Sequence, residues 1–364
     1  MLPEPNRLPA LSALFASSLF YLFPCIAFGQ TPAVKTEPEI RTLNPGQLDA
    51  QLAQAKSLVD QGNIVDADRT VRDYITAHPD SAAAHFLRGY ILFRQIQASS
   101  SAMDSTQREQ YKEQETAVPG VATVAAAAKD SLSEFTEGAK YRQPSAFDLK
   151  IVALDYVVLG DYVDADKWLT RSLQWNPKDA EAWYWLGRTK YNENRFDEAA
   201  QSFEQYLKSD PKSVKAEDNL GLSYAALGQT SKAIATYQNA IAWQSESASK
   251  DPGPFLDLGT LLMDQNRAQE AVAYFVQAVA ISPKESRFHE ALGQAYFRLD
   301  QLQKAQDELE TAVDLSPQNP RLHYLLGRVY RKQGFVAKAD AEFSREESLK
   351  AAAPAHTVPA SPRP

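Results

Sequence analysis

The sequence predicts an all-α protein built as a solenoid of repeated helix-turn-helix units. Three columns of residues carry this prediction: an alanine that recurs in steps built on 34 residues, a glycine twelve residues before it, and a turn-forming residue five before it. Units of this kind bury a continuous core by stacking on their neighbours. The longer steps, of 98 and 38 residues, indicate two insertions. The alanines are Ala67, Ala165, Ala199, Ala233, Ala271, Ala305 and Ala339.

The glycine column predicts that the two helices of each unit cross closely. Glycine inside a helix costs about 1 kcal/mol relative to alanine, so its recurrence needs a structural cause. We expect the second helix to pass near enough to exclude a Cβ atom. The column contains Ala55, Ala153, Gly187, Gly221, Gly259, Gly293 and Gly327, and Gly89 has the same place in the interrupted unit.

The turn column predicts a left-handed residue where the first helix ends and the chain turns back. Every residue in it tolerates positive φ, and none is β-branched or bulky. Its members are Gly62, Gly160, Asn194, Gly228, Asn266, Asp300 and Gly334. A fourth column, four residues after each alanine, predicts the next turn of the buried face. It contains Val71, Leu169, Phe203, Tyr237, Phe275, Leu309 and Phe343.

Residues 180–213 show the whole pattern most completely. Its characteristic residues are Trp183, Leu186, Gly187, Ala199, Phe203 and Pro211. This stretch resembles a tetratricopeptide repeat, except that Lys190 takes the place of the usual tyrosine. The resemblance implies a right-handed α-solenoid of about seven to eight repeats over residues 48–350.

The repeat positions divide the solenoid into eight units. These are 48–81, 82–145, 146–179, 180–213, 214–247, 252–285, 286–319 and 320–350. The second unit contains an insertion at about 96–127, whose serine- and alanine-rich composition predicts a loop with room for short helices. Two interpretations of it stay open, a mobile surface loop and a partner-binding arm.

Residues 1–29 have the pattern of a secretory signal. An apolar run from Leu11 to Phe23 is followed by small residues at Ala27 and Gly29, which predicts cleavage before Gln30. An uncleaved membrane anchor over residues 8–28 is the alternative. Residues 30–47 read as a proline-rich linker and residues 351–364 as a disordered tail. We therefore expect an exported protein of the bacterial periplasm or cell envelope.

The sequence contains no motif typical of catalysis or cofactor binding. There is no HExxH, glycine-rich phosphate loop or Gly-x-Ser-x-Gly. His85, His289 and His323 share the repeat position of Trp183, and stacked units are too far apart for them to share a metal. The net charge of −8 argues against a nucleic-acid partner. We predict a non-enzymatic protein that needs no cofactor or metal and whose histidines have their polar edges satisfied.

The resemblance also implies where a partner binds, because in this family partners lie in a concave groove lined by the first helix of each unit. Repeat positions 2, 5, 9, 12 and 13 fall on a stripe that core packing is expected to leave free. The predicted partner-binding residues are Tyr184, Arg188, Tyr191, Asn192, Arg287, Phe297, Arg298, Arg321, Tyr324, Arg328, Arg331 and Lys332.

Charge along this groove predicts the partner's character. In the last two units the groove positions hold six basic residues and one acidic residue. We expect a scaffold that binds a protein or peptide, with an acidic segment at the C-terminal end of the groove. The alternative is an accessory subunit of an envelope enzyme or of a glycan-handling or secretion machine, in which Tyr184 and Tyr191 contact saccharide.

Overall fold

The computed structural model describes residues 50–102, 119–245, 247 and 249–352. These residues form sixteen α-helices and, within the described ranges, no β-strand. The predicted signal, linker and most of the tail lie outside them. The helices are α1 Ala50–Asp60, α2 Ile64–Ala77, α3 Ala82–Ala102, α4 Pro119–Ala139, α5 Ala146–Val158, α6 Tyr162–Trp175, α7 Ala180–Asn192, α8 Phe196–Leu207, α9 Val214–Ala226, α10 Thr230–Trp243, α11 Gly253–Asp264, α12 Ala268–Ile281, α13 Ser286–Arg298, α14 Leu302–Leu315, α15 Pro320–Gln333 and α16 Val336–Ala352.

The helices pair in chain order, so the predicted all-α solenoid is confirmed. Each odd-numbered helix is the first helix of a pair and contacts its second helix, and each second helix contacts the first helix of the next pair. None of the sixteen could serve as a membrane span. The buried apolar residues form a series of core clusters along the stack, most of them shared by neighbouring pairs, as expected for a repeat array.

The turn column behaves as predicted at all seven positions. Asn194, Asn266 and Asp300 have φ values of 60°, 58° and 60°. The four glycines of the column have φ values from 70° to 87°. A left-handed residue ends the first helix and reverses the chain within a few residues, which brings the two helices of each pair together.

Side-chain caps begin several of the helices. Asn63, Asp161 and Asp179 each accept a hydrogen bond from a backbone N–H in the first turn of the following helix. Ser145 and Asp148 form a capping box at the start of α5. These contacts satisfy N–H groups that have no partner inside the helix, so they fix where each helix begins.

The glycine column lies where the two helices of a pair cross, as predicted. An added Cβ atom at Gly187 would lie 2.8 Å from the ring of Phe203, and one at Gly221 would lie 2.6 Å from the ring of Tyr237. In both pairs the obstructing ring belongs to the column four residues after the buried alanine. A side chain at either glycine would therefore require the ring of the second helix to shift.

The histidines that share the position of Trp183 are structural. The indole of Trp183 donates to the Pro177 carbonyl across 2.9 Å. His85, His289 and His323 make the same bond through Nε2 to the carbonyl of a proline six residues earlier, at 2.9 to 3.0 Å. Their Nδ1 atoms face a glutamate of the second helix. The prediction that their polar edges are satisfied is confirmed, and both ring nitrogens face oxygens that only accept.

The insertion in the second pair differs from the predicted loop at both of its ends. Residues 96–102 continue α3 and residues 119–127 belong to α4, and each of these helices has 21 residues. Alanine-rich sequence favours helix once a helix is already nucleated, which accounts for the start of α4 but not for the serine-rich end of α3. Residues 103–118 lie outside the described ranges, so both interpretations of the insertion stay predictions.

Candidate partner-binding site

The first helices form the inner wall of the solenoid. Each of them contacts the first helix of the next pair, whereas within the described ranges no two second helices contact each other. A stack whose first helices approach more closely than its second helices curves toward the first. The predicted partner-binding residues lie on this inner wall, on α7, α13 and α15.

The two tyrosines predicted on α7 are packed into aromatic clusters. Tyr184 lies 5.9 Å from Phe203 and 5.5 Å from Tyr206, measured between ring centroids. Tyr191 lies 5.2 Å from Phe196. Burial raises the pKa of both hydroxyl groups, that of Tyr191 to about 12. Rings engaged in this way have little free face for a saccharide, so the structure offers no support for the glycan-binding alternative.

The remaining predicted residues of α7, Arg188 and Asn192, contact other residues of their own helix. Arg188 is only 9% exposed, and its guanidinium lies 5.0 Å from the ring of Trp185. Asn192 donates to the carbonyl of Arg188. Lys150 and Leu154, in the same stripe of the preceding pair, are buried. The prediction that packing leaves this stripe free is therefore wrong at Lys150, Leu154 and Arg188, whereas Glu181 and Lys215 of the same stripe are exposed.

The inner wall is open in the last two pairs, where four predicted residues meet. The Arg328 guanidinium lies 5.0 Å from the ring centroid of Phe297 and 5.7 Å from that of Tyr324. The Lys332 ammonium lies 5.1 Å from the ring of Phe297. Tyr324, Arg328 and Lys332 are exposed. We call Phe297, Tyr324, Arg328 and Lys332 the Phe297 cluster.

Two basic residues at this end of the wall are paired with carboxylates. Arg321 lies 2.7 Å from Glu290, and Lys332 lies 2.7 Å from Asp300. Both carboxylates belong to the preceding pair or to its turn, so these ion pairs link consecutive repeats. Exposed pairs of this kind contribute little stability, about 0 to 1 kcal/mol. They reduce the positive charge of the wall without removing it.

The other predicted cations point to groups outside the Phe297 cluster. Arg331 lies on the same helix as Arg328, yet its guanidinium is 4.4 Å from the ring of Phe343 on α16. The Arg298 guanidinium donates to the carbonyl of Met263. Arg287 pairs with Glu285 at 2.7 Å. The structure thus brings together four of the eight residues predicted on α13 and α15.

An acidic group in the middle of the inner wall was not predicted as a site. The carboxylates of Asp218 on α9 and Asp251, which precedes α11, flank Gly253, where an added Cβ atom would lie 3.1 Å from an oxygen of each. The sequence signal that could have indicated this acidic group is the single step of 38 residues in the alanine column. The four residues that this step adds to the usual 34 lie just before α11. Within the described part of the chain, no group of three or more His, Cys, Asp or Glu residues is arranged to hold a metal ion.

Three family models match the chain, and each is described as a tetratricopeptide repeat. One matches residues 159–220 and 262–329, a second matches 52–108, and a third matches 218–247. Together they cover more than half of the chain. Among curated proteins, none matches it.

Solved structures with a similar fold share little sequence identity with the chain. The APC/C hetero-tetramer Cut9-Hcn1 is 18% identical, with a TM-score of 0.51, over 83% of this chain and 60% of that one. PilW, a type IV pilus biogenesis factor, is 20% identical, with a TM-score of 0.49, over 57% and 93%. MamA from Desulfovibrio magneticus RS-1 is 19% identical, with a TM-score of 0.43, over 48% and 97%. At these identities the likeness concerns the fold alone.

Proposed function

Because this chain belongs to the tetratricopeptide repeat family, we propose that it is a non-enzymatic scaffold whose inner wall binds a segment of another protein. The Phe297 cluster is the surface that supports this proposal best. It combines exposed cations with aromatic rings on the inner wall of the last two pairs. Such a surface offers both charge and apolar contact area to an extended peptide.

The unpaired cations at this end favour an acidic segment as the ligand. Arg328 and Arg331 contact aromatic rings but, within the residues that the structure describes, form no ion pair with a carboxylate. A guanidinium stacked on a ring keeps its N–H groups available at the ring's edge, where they match the geometry of a carboxylate. This observation carries the proposal that the partner is acidic where it contacts α15.

We also propose that the scaffold acts in the bacterial cell envelope. The support is the N-terminal sequence, with its apolar run, Pro24 and the small residues Ala27 and Gly29. N-terminal sequencing of the protein purified from its native cells should find Gln30 first, in the periplasmic fraction. A chain that starts at Met1 and sediments with membranes would indicate an anchor instead.

Arg328 and Arg331 provide a matched pair of variants for testing the groove. Arg328→Glu reverses a charge inside the Phe297 cluster, and Arg331→Glu makes the same change on the same helix outside it. Loss of a charge-assisted hydrogen bond costs about 1.5 to 3 kcal/mol, so Arg328→Glu should weaken binding of a polyglutamate peptide roughly tenfold or more. Arg331→Glu should have a smaller effect. Equal binding by both variants and the wild type would remove the cluster from the mechanism.

A photo-crosslinking amino acid tests the location of the natural partner without knowledge of its identity. We expect crosslinked products in intact cells when the probe replaces Tyr324 on the inner wall. The control position is Val276 on the second helix α12, which is also 44% exposed. Crosslinking from Val276 but not from Tyr324 would place the partner on the outer surface.

A further inference from the structure

A cavity of about 520 Å³ opens at the edge of the solenoid where α5 begins and α6 ends. Its lining residues are Gln143, Pro144, Arg171 and Trp175, none of which is a predicted partner-binding residue. Trp175 is 39% exposed, and the Arg171 guanidinium lies 5.0 Å from the centroid of its ring. The cavity therefore combines two apolar rings, from the tryptophan and the proline, with a cation and an amide.

The fold itself makes little use of the polar groups of this cavity. Arg171 donates to the side chain of Gln174 at 3.0 Å but, within the described ranges, forms no ion pair with a carboxylate. The Gln143 side chain has no hydrogen-bond partner among the described residues. Trp243, at the equivalent position of α10, is less exposed than Trp175. A cation, an amide and an exposed ring that converge on one cavity are groups that can orient a ligand.

The topology of the solenoid places the start of α1 at the same edge as this cavity. The turn inside each pair reverses the chain, and the short connection to the next pair reverses it again. Every first helix therefore begins, and every second helix ends, at one edge. Consecutive first helices contact each other, and packed helix axes lie about 8 to 10 Å apart, so α5 begins about 20 Å from the start of α1.

The sequence just before α1 contains groups that complement the cavity. Glu37, Pro38 and Glu39 lie in the proline-rich segment of residues 30–47. Pro38 is twelve residues before Ala50, where α1 begins. An extended proline-rich chain spans about 3.1 Å per residue, which gives a reach of about 37 Å. This reach exceeds the distance to the cavity, so Pro38 can lie in it without strain in the connecting chain.

The other long segments outside the described ranges do not fit this cavity. Residues 103–118 connect α3 to α4 at the opposite edge of the solenoid. Residues 353–364 follow α16, five pairs away from the cavity, and contain no acidic residue that could pair with Arg171. The segment before α1 is therefore the part of the chain that matches the cavity in both place and charge.

We propose that this cavity binds the chain's own segment around Pro38, which straps the segment along the edge of the first three pairs. Pro38 packs against the rings of Trp175 and Pro144, as proline-rich segments do in aromatic-lined grooves. A carboxylate beside Pro38 pairs with the guanidinium of Arg171. Because a polyproline-type chain has no internal hydrogen bonds, its carbonyls can accept from the Gln143 amide. The bound segment fixes the direction in which the chain leaves α1, whatever the inner wall binds.

A photo-crosslinking amino acid that replaces Ile40 in the full-length chain tests this docking. We expect intramolecular crosslinks, mapped by mass spectrometry, to the residues that line the cavity. Arg171→Glu should reduce their yield roughly three- to tenfold, because a charge-assisted contact becomes repulsive. Lys167→Glu is the matched control, since Lys167 is exposed on the same helix one turn earlier and also stacks on a tryptophan, 4.8 Å from the ring of Trp168. This control should keep the wild-type yield.

A charge exchange separates the proposed contact from a general effect of the substitution. Glu37→Lys with Glu39→Lys should lower the yield by a similar factor, and the addition of Arg171→Glu to this variant should restore it. Far-UV circular dichroism should be the same for all variants, because Arg171 and Lys167 are exposed. Equal yields from the wild type and Arg171→Glu would overturn the proposal, as would crosslinks to other parts of the solenoid. In a mixture of isotope-labelled and unlabelled protein, crosslinks that join the two labels would overturn the intramolecular strap and assign the segment to a second copy of the chain.

Discussion

Replacing Gly221 by alanine tests whether the glycine column exists because of close helix crossing. An added Cβ atom would lie 2.6 Å and 2.7 Å from two ring carbons of Tyr237. Carbon atoms at their optimal separation are about 3.5 to 4.0 Å apart, so the ring or the helix must move by about 1 Å. Tyr237 is 1% exposed and packs inside the core, so its movement would displace packed neighbours.

Two opposing effects decide the size of the change. Alanine in a helix interior is more favourable than glycine by about 1 kcal/mol. Overpacking a close-packed core costs about 1 to 3 kcal/mol, and an overlap this large should lie at the upper end. We expect Gly221→Ala to lower the free energy of unfolding by about 1 to 2 kcal/mol. Urea unfolding followed by far-UV circular dichroism would measure it.

A second variant identifies the obstructing ring. In a Tyr237→Ala background the overlap is absent, so the same Gly221→Ala change should become stabilising by about 1 kcal/mol. The sign of the effect should therefore reverse between the two backgrounds. If alanine at 221 stabilises the protein while Tyr237 is present, the explanation of the glycine column by helix crossing is wrong.

Two further predictions concern buried titratable groups. The hydrogen bond to Glu308 raises the pKa of His289, so the stability that this ring contributes is complete below its unfolded pKa and is lost as pH rises through the raised value. Thermal unfolding should occur at lower temperature at about pH 8 than at about pH 6, with a smaller difference in His289→Gln. Burial raises the pKa of Asp155, whose carboxyl group lies 2.6 Å from the Ser131 hydroxyl. Since the amide oxygen of asparagine can accept the same bond from Ser131 without titrating, Asp155→Asn should be at least as stable as the wild type at about pH 8, and a large loss in urea unfolding would contradict a neutral carboxyl group.

Features that depend on one residue's local conformation could be predicted from the sequence. The turn column required positive φ, and each of its seven residues has it. The glycine column required close contact, which the rings of Phe203 and Tyr237 provide. These requirements repeat every 34 residues in the regular units, so each unit gives independent evidence for the same backbone geometry.

Exposure along the inner wall could not be predicted in the same way, because it depends on neighbouring repeats. Arg188 and Arg328 occupy equivalent positions, yet the first is buried and the second is exposed. Arg331 lies one helical turn from Arg328 but contacts Phe343 of its own pair. Arg188 lies on a pair with neighbours on both sides, whereas Arg328 lies on the last pair that the structure describes, and a repeat pattern within one unit does not contain this difference.

Lys190 shows how a departure from the family pattern keeps the contact between repeats. In the next pair, the residue at this position is Tyr224, whose hydroxyl donates to Glu204 of the preceding second helix at 2.7 Å. Lys190 makes the corresponding bond to Asp166 of its preceding second helix, also at 2.7 Å. Although partial burial opposes it, hydrogen bonds from Lys190 and Arg195 lower the pKa of Asp166, so its charge is retained in the contact. An acidic residue on the second helix therefore accepts a hydrogen bond from either a lysine or a tyrosine. The alignment of successive first helices sets the shape of the inner wall, and this alignment does not require the tyrosine.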